Sequence, residues 1–331
     1  MALPLWLSSR LTLPVVGSPM FIASGPELVI AQCRAGVIGS FPALNARPAS
    51  MLTDWLARIT EENAAYRAAD PNAVVAPFAV NQIVHRSNDR LEADMTVIVE
   101  HEVPIVITSL GARQEINDAV HSYGGVVFHD VIDDRFAHKA IEKGADGLIA
   151  VAAGAGGHAG TQSPFALVQE IRTWFDGPLL LSGAIAHGRS ILAAQAAGAD
   201  LAYIGSAFLS TTEANVVADY KQMIVDSGAA DIVYSNLFTG VHGNYLRGSI
   251  VAAGLDPDEL PQSDPSKMDF GSGGITEAKA WKDVWGAGQG IGAVTERRST
   301  AELVATLTEQ YDRARHDLAV VLSEATELPV H

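Results

Sequence analysis

The chain has 331 residues, of which 48% are hydrophobic and 18% charged. That composition excludes a disordered chain and leaves room for one large α/β domain, or for a domain of roughly 200–250 residues with an addition. The formal net charge of −16 would repel an extended phosphate backbone, which excludes nucleic acid as a main partner. A small anion held by backbone N–H groups is not excluded.

Eight apolar runs read as strands, beginning near Pro14, Val37, Val74, Pro104, Val126, Gly147, Pro178 and Leu201. Helical patterns lie between them over 26–35, 49–69, 88–101, 112–122, 134–143, 164–175 and 188–197. The first opens on Pro26 and stops at Gly36; the second places Leu52, Leu56 and Ile59 on one stripe, and the third Leu91, Met95 and Ile98. A Gly-Ala-Asp unit followed by an apolar run occurs at 144–146 and again at 198–200, with looser copies at 36–40 and 124–128. Each copy pairs a helix-ending glycine with a short strand, which implies a parallel sheet with crossover helices. Eight such units in about the first 210 residues predict an α/β fold, a TIM (β/α)8 barrel; a doubly wound open sheet is the alternative.

Residues 211–290 read as a mostly helical insertion after strand eight that covers the barrel mouth. Helices are expected over 214–227 and 243–254, then a Pro/Asp/Ser-rich loop over 255–267 continued by Gly-Ser-Gly-Gly at 271–274. A closing helix is expected within 291–331: Leu303, Leu307, Tyr311 and Leu318 fall at helical spacing, with Ser299 or Thr300 as cap and Glu302 close behind. The chain start lacks the basic region and long apolar core of a signal peptide, and no run of about 18 apolar residues suggests a membrane span. The single cysteine, Cys33, allows no intrachain disulfide and reads as a packed residue of the first helix in a cytoplasmic protein.

The sixth strand runs into Gly-Ala-Gly-Gly-His-Ala-Gly at 154–160, which presents His158 among glycines that permit close backbone approach. In TIM barrels ligands sit at the C-terminal strand ends, and a phosphate is often held after strands seven and eight. Those ends carry Ser182, Gly183 and Ala184, and Gly205 and Ser206. Strand one exits through Pro19 and Met20, strand three ends at Asn81, whose amide can both donate and accept, and strand five ends in His129 and Asp130. His129 reads either as a packed histidine or as a second imidazole at the mouth. His85, His101, His121, His138, His187 and His242 show no metal-ligand spacing, so no metal is expected. A Gly-x-Ser-x-Gly elbow for a serine hydrolase is also missing.

Together the runs at 154–160, 181–184 and 204–208, and Trp-Gly-Ala-Gly-Gln-Gly at 285–290, resemble the nitronate monooxygenase (2-nitropropane dioxygenase) family of FMN-dependent TIM-barrel flavoproteins. The resemblance implies that Gly183, Ala184, Gly205 and Ser206, with Ser182 beside them, hold the FMN phosphate. Pro19, Met20, Asn81 and His129 would border the isoalloxazine, Gln289 would close over it, and Gly156 and Gly157 would let the loop approach it. His158 would be the catalytic residue facing the substrate. The implied reaction oxidises an alkyl nitronate with O2 to a carbonyl compound and nitrite. The alternatives are an FMN-dependent NAD(P)H reductase of quinones or enoyl thioesters, and a flavin-free phosphate-binding isomerase or lyase. Ala184 stands where many relatives have a second glycine, which keeps phosphate binding only if its φ is negative. Asp130 stands where some reductase-type relatives carry Lys. The partners expected are a small molecule and O2, with neither nucleic acid nor membrane; a homodimer is compatible with this reading.

Overall fold

The computed structural model describes residues 3–263 and 282–326. Eight parallel strands form its main sheet: β1 (Val15–Gly17), β2 (Gly39–Pro42), β3 (Phe78–Ile83), β4 (Ile105–Ser109), β5 (Val126–Val131), β6 (Gly147–Val151), β8 (Leu179–Ser182) and β9 (Leu201–Ile204). Their order is β1-β9-β8-β6-β5-β4-β3-β2. Gly17 N–H donates to Ile38 at 2.8 Å and Ile38 N–H to Val15 at 3.1 Å, joining the two ends. The sheet is thus the expected barrel and not an open sheet.

The helices are α1 (Leu5–Ser8), α2 (Pro26–Arg34), α3 (Met51–Ala69), α4 (Leu91–Glu100), α5 (Gln114–His121), α6 (Asp134–Glu142), α7 (Pro164–Arg172), α8 (Gly188–Ala197), α9 (Ser206–Leu209), α10 (Ala218–Asp226), α11 (Arg247–Ala252) and α12 (Thr300–Thr326). Strand residues of one parity, among them Ala79, Ile105, Ile107, Phe128, Ile149 and Leu180, fill the barrel with Leu7 of α1. Residues of the other parity, including Val80, Val106, Val127 and Leu148, pack against helix residues such as Leu56, Met95 and Leu167. Each fully buried Leu or Ile contributes roughly 1.5–3 kcal/mol.

Three expectations change. The third strand starts at Phe78 and not near Val74, because Pro77 has no N–H to give a ladder. The described residues of 211–290 are not mostly helical: they contribute two strands, β10 (Ile232–Ser235) and β11 (Gly243–Leu246), so the expected helix over 243–254 splits into β11 and α11. The glycine loop is not free, since Gly157–His158 forms β7 and pairs antiparallel with β11 in a three-stranded sheet. The closing helix begins as read: Ser299 N–H donates to Glu302 at 2.8 Å and Glu302 N–H to Ser299 Oγ at 3.3 Å, a reciprocal cap. The loop over 255–267 is described only to 263, and 271–274 lie outside the described residues. No described helix is long and apolar enough to cross a membrane.

Candidate active site

A cavity of about 1060 Å³ opens between the C-terminal strand ends and the covering sheet. Pro19, Met20, Asn81, His129, Gly156, Gly157, His158, Ser182, Gly205 and Ser206 line it; Gly183, Ala184 and Gln289 do not.

The barrel-side floor follows from strand alternation. Asn81, Ser109 and Asp130 share the parity of Ala79, Ile107 and Phe128, which face the barrel interior. They form a chain: Asn81 Nδ2 donates to Ser109 Oγ at 2.7 Å, and Ser109 Oγ donates to Asp130 Oδ2 at 2.5 Å. Leu110 adds a backbone N–H to the same carboxyl from a left-handed conformation at φ 60°, a strain worth about 1–3 kcal/mol in a non-glycine residue. The surrounding protein strips water from Asp130 and pushes its pKa up to about 6, against the two hydrogen bonds, which pull it down. Asp130 also acts electrostatically on Tyr203 of β9, a strand that does not adjoin β5. The carboxyl therefore projects across the barrel interior.

His129 has the opposite parity, that of Val127 and Val131, which pack toward the helices. Its Nδ1 lies 2.6 Å from Thr108 Oγ1, and burial lowers its pKa to about 4. It borders the cavity as a packed neutral ring, and Asp130 is the strand-five side chain directed inward.

The opposite wall is the covering sheet. His158 pairs with Gly243 and Gly157 with Asn244. Asn244 Nδ2 donates to Ala155 O at 2.6 Å, and Tyr234 Oη donates to Ala159 O at 3.0 Å. His158 Nε2 lies 2.9 Å from Thr239 Oγ1, whose own proton goes to Val241 O at 3.0 Å. The hydroxyl therefore accepts from Nε2–H, and the neutral ring keeps its lone pair on Nδ1. Desolvation lowers the His158 pKa to about 4, so the ring is neutral at pH 7.

The remaining glycines serve the backbone. A Cβ on Gly156 would lie 2.8 Å from Gly288 N and 2.9 Å from Ser206 Oγ, so this glycine lets the covering segment press onto the loop. Gly183, at φ +143°, would place a Cβ 2.8 Å from Ala153 O. Ala184 has φ 54°, the opposite of the condition set for it, and its N–H donates to Gly154 O at 3.2 Å. Gln289 N–H donates to the same oxygen at 2.9 Å, and the Gln289 side chain would lie 3.0 Å from a Cβ on Gly154. Gln289 thus packs against the loop. Ser182, Gly205 and Ser206 line this end of the cavity; Ser206 Oγ also accepts from Gly288 N–H at 2.8 Å. Sequence reading assigned no role to Ser109, Asp130, Tyr203 or Thr239. The period-two pattern through Ile107 in β4 and Phe128 in β5 identifies the first two, whereas Thr239 reaches His158 only through tertiary pairing.

The nitronate monooxygenase family model matches residues 4–310. A nitronate monooxygenase of Paraburkholderia phytofirmans is 26% identical, covering 92% of this chain and 94% of its own length. A hydroxy-methyl-oxo-octahydro-indene carboxyl-CoA dehydrogenase of Rhodococcus jostii is also 26% identical, over 72% of this chain and 64% of its own. The crystal structure of a nitroalkane oxidase from Streptomyces ansochromogenes superposes with a TM-score of 0.77 at 23% identity, covering 94% of this chain and 99% of that one; at that identity it speaks for the fold alone. With the match running from the first strand into the closing helix, the chain belongs to the nitronate monooxygenase family and is an oxidoreductase of that type.

Proposed function

We propose that the protein uses FMN to oxidise alkyl nitronates with O2, yielding a carbonyl compound and nitrite. One observation carries the reading: His158 and the inward set Asn81, Ser109 and Asp130 face one cavity from opposite sides. The donor set fits the cofactor. Polar floor groups suit the heteroatoms of an isoalloxazine, Pro19 and Met20 border the ring position, and Ser182, Gly205 and Ser206 supply hydroxyl and amide donors for the phosphate. FMN when bound supplies the electron-accepting ring that nitronate oxidation requires.

The protein's share is orientation and proton handling. Thr239 orients the His158 ring through Nε2, and a neutral imidazole lining the cavity is a base of the kind that takes the carbon-bound proton of a nitroalkane. For a substrate that arrives as the nitronate, the same ring would protonate on approach of the anion and offset its charge.

An absorption spectrum of the purified protein, followed by anaerobic titration, tests the reading. Bleaching of a bound flavin by ethylnitronate, with no bleaching by NADH, is the expected result. A colourless protein that does not rebind FMN overturns it, and bleaching by NADH alone assigns the protein to the reductases.

A further inference from the structure

Asp130 lines the cavity, and the proton handling assigned to His158 leaves its carboxyl without a stated part. Its setting is specific. Asn81 Nδ2 can only donate, so at 2.7 Å it turns the Ser109 hydroxyl into a donor toward Asp130 Oδ2 at 2.5 Å. Leu110 N–H is given to the same carboxyl, from a backbone conformation that L-residues rarely adopt. These donors orient the group and leave the carboxyl's own proton, when present, to face the cavity that Asp130 lines. The relay lies on the interior-facing parity of three adjacent strands, β3, β4 and β5, so the carboxyl meets whatever rests on the barrel floor.

We propose that Asp130 is a cofactor-binding acid: held by the Asn81–Ser109 relay, its protonated carboxyl donates a hydrogen bond to a carbonyl oxygen or ring nitrogen of the flavin. The inference rests on the FMN reading above. A flavin ring presents acceptors, and a neutral carboxyl answers them, whereas a carboxylate sets lone pairs against lone pairs. Enclosure already raises the Asp130 pKa to about 6, and an acceptor facing the acid form raises it further. Ring binding therefore takes up a proton above that pH. Of the titratable groups sharing the cavity, Tyr203 ionises only well above 10, and His129 and His158 are neutral with pKa values of about 4. His85, Asp133, Lys139, Tyr220, Tyr234 and His242 also line the cavity and are unchanged in the variants below, so their contribution cancels.

The experiment is FMN affinity, read by quenching of flavin fluorescence, at pH 5 to 8 in the wild type, Asp130→Asn and Ser109→Ala. The FMN phosphate titrates in all three proteins, so only differences between their curves count. Expected is an affinity loss from pH 5 to pH 8 that is ~10-fold or more greater in the wild type than in Asp130→Asn, whose amide donates at every pH. Ser109→Ala removes a donor that favours the carboxylate, so its midpoint moves to higher pH; a packing role alone would not shift it. Parallel curves for wild type and Asp130→Asn overturn the inference and leave the FMN reading standing. No FMN binding by the wild type at any pH overturns both. Should Asp130→Asn fail to fold, Ser109→Ala decides: a raised midpoint supports the inference and an unmoved one overturns it.

Discussion

At the scale of single residues, the enclosed groups of the site make stability depend on pH in opposite directions. Asp130 has its pKa raised from 3.8 to about 6. Between those values the native state holds more protons than the unfolded chain, so its share of stability falls as pH climbs through the window and stays lost above it. Asp130→Asn keeps the shape and removes the ionisation. Flavin-free Asp130→Asn is expected to be more stable than the wild type at pH 8, by up to roughly 3 kcal/mol and so with a higher Tm, the two converging near pH 4; equal curves at pH 8 would show that the carboxylate is well solvated. His129 and His158, lowered from 6.5 to about 4, act the other way: their contribution is full above pH 6.5 and is lost as pH falls toward 4. His158→Asn is expected to retain FMN and lower turnover of a neutral nitroalkane by roughly 10²-fold; turnover within a few-fold of wild type removes the imidazole from the chemistry. His158 was legible in the sequence because glycines surround it. Ser109 and Asp130, given no role from the sequence, follow from alternation through Ile107 and Phe128, which places Asp130 inside and His129 outside. At Gly183 the left-handed φ and the nearby Ala153 carbonyl mean that a valine would disturb the strand exit directly, so flavin loss in Gly183→Val would not by itself report a phosphate contact.

At the scale of elements, the site depends on one pairing that the sequence conceals. β7 has two residues and β11 four, too short for periodicity to separate strand from helix. Their partners are also far away in the chain, so the expected helix over 243–254 absorbed β11. What fixes the pairing is side-chain chemistry at its edge. Asn244 is buried, its Nδ2 reaches Ala155 O at 2.6 Å, and its backbone oxygen accepts from Ala287 N–H at 3.2 Å. One residue thus ties the glycine loop to the 285–290 segment, which explains why both stood out together in the sequence. Asn244→Ala leaves the Ala155 carbonyl without this donor, a loss of about 1–3 kcal/mol. The expected outcome is a folded protein with faster amide exchange over 155–158 and turnover reduced by roughly 10-fold. Unchanged exchange at those amides would mean that the strand pairing alone holds His158.

At the scale of the whole molecule, the count of eight units was legible, while closure was not, because the bonds between Gly17, Ile38 and Val15 join segments that an open sheet would also contain. Closure requires something to cover the outside near β1 and β9, and α12 does this by crossing α8. The crossing is tight at Gly188, where a Cβ would fall 2.2 Å from Tyr311 N and 2.4 Å from Leu307 O. Both are backbone atoms of a long helix, so neither can rotate away. Gly188 N–H also donates to Gln310 Oε1 at 3.0 Å, which fixes the register of the two helices. The nearby Arg189–Asp317 pair, at 3.2 Å and exposed, adds little. Gly188→Ala therefore forces the helices apart along Leu303, Val304 and Leu307, which pack with Ile191, Ala202 and Ile204. An overpacked contact of this kind costs about 1–3 kcal/mol, which at this chain length lowers Tm by several degrees. The site lies at the other side of β9, so FMN affinity at 20 °C is expected to stay within a few-fold of wild type while Tm falls. An unchanged Tm would show that α12 shifts freely on α8, and a large loss of FMN affinity would show that the helix positions the strand-eight end of the cavity as well as closing the wall.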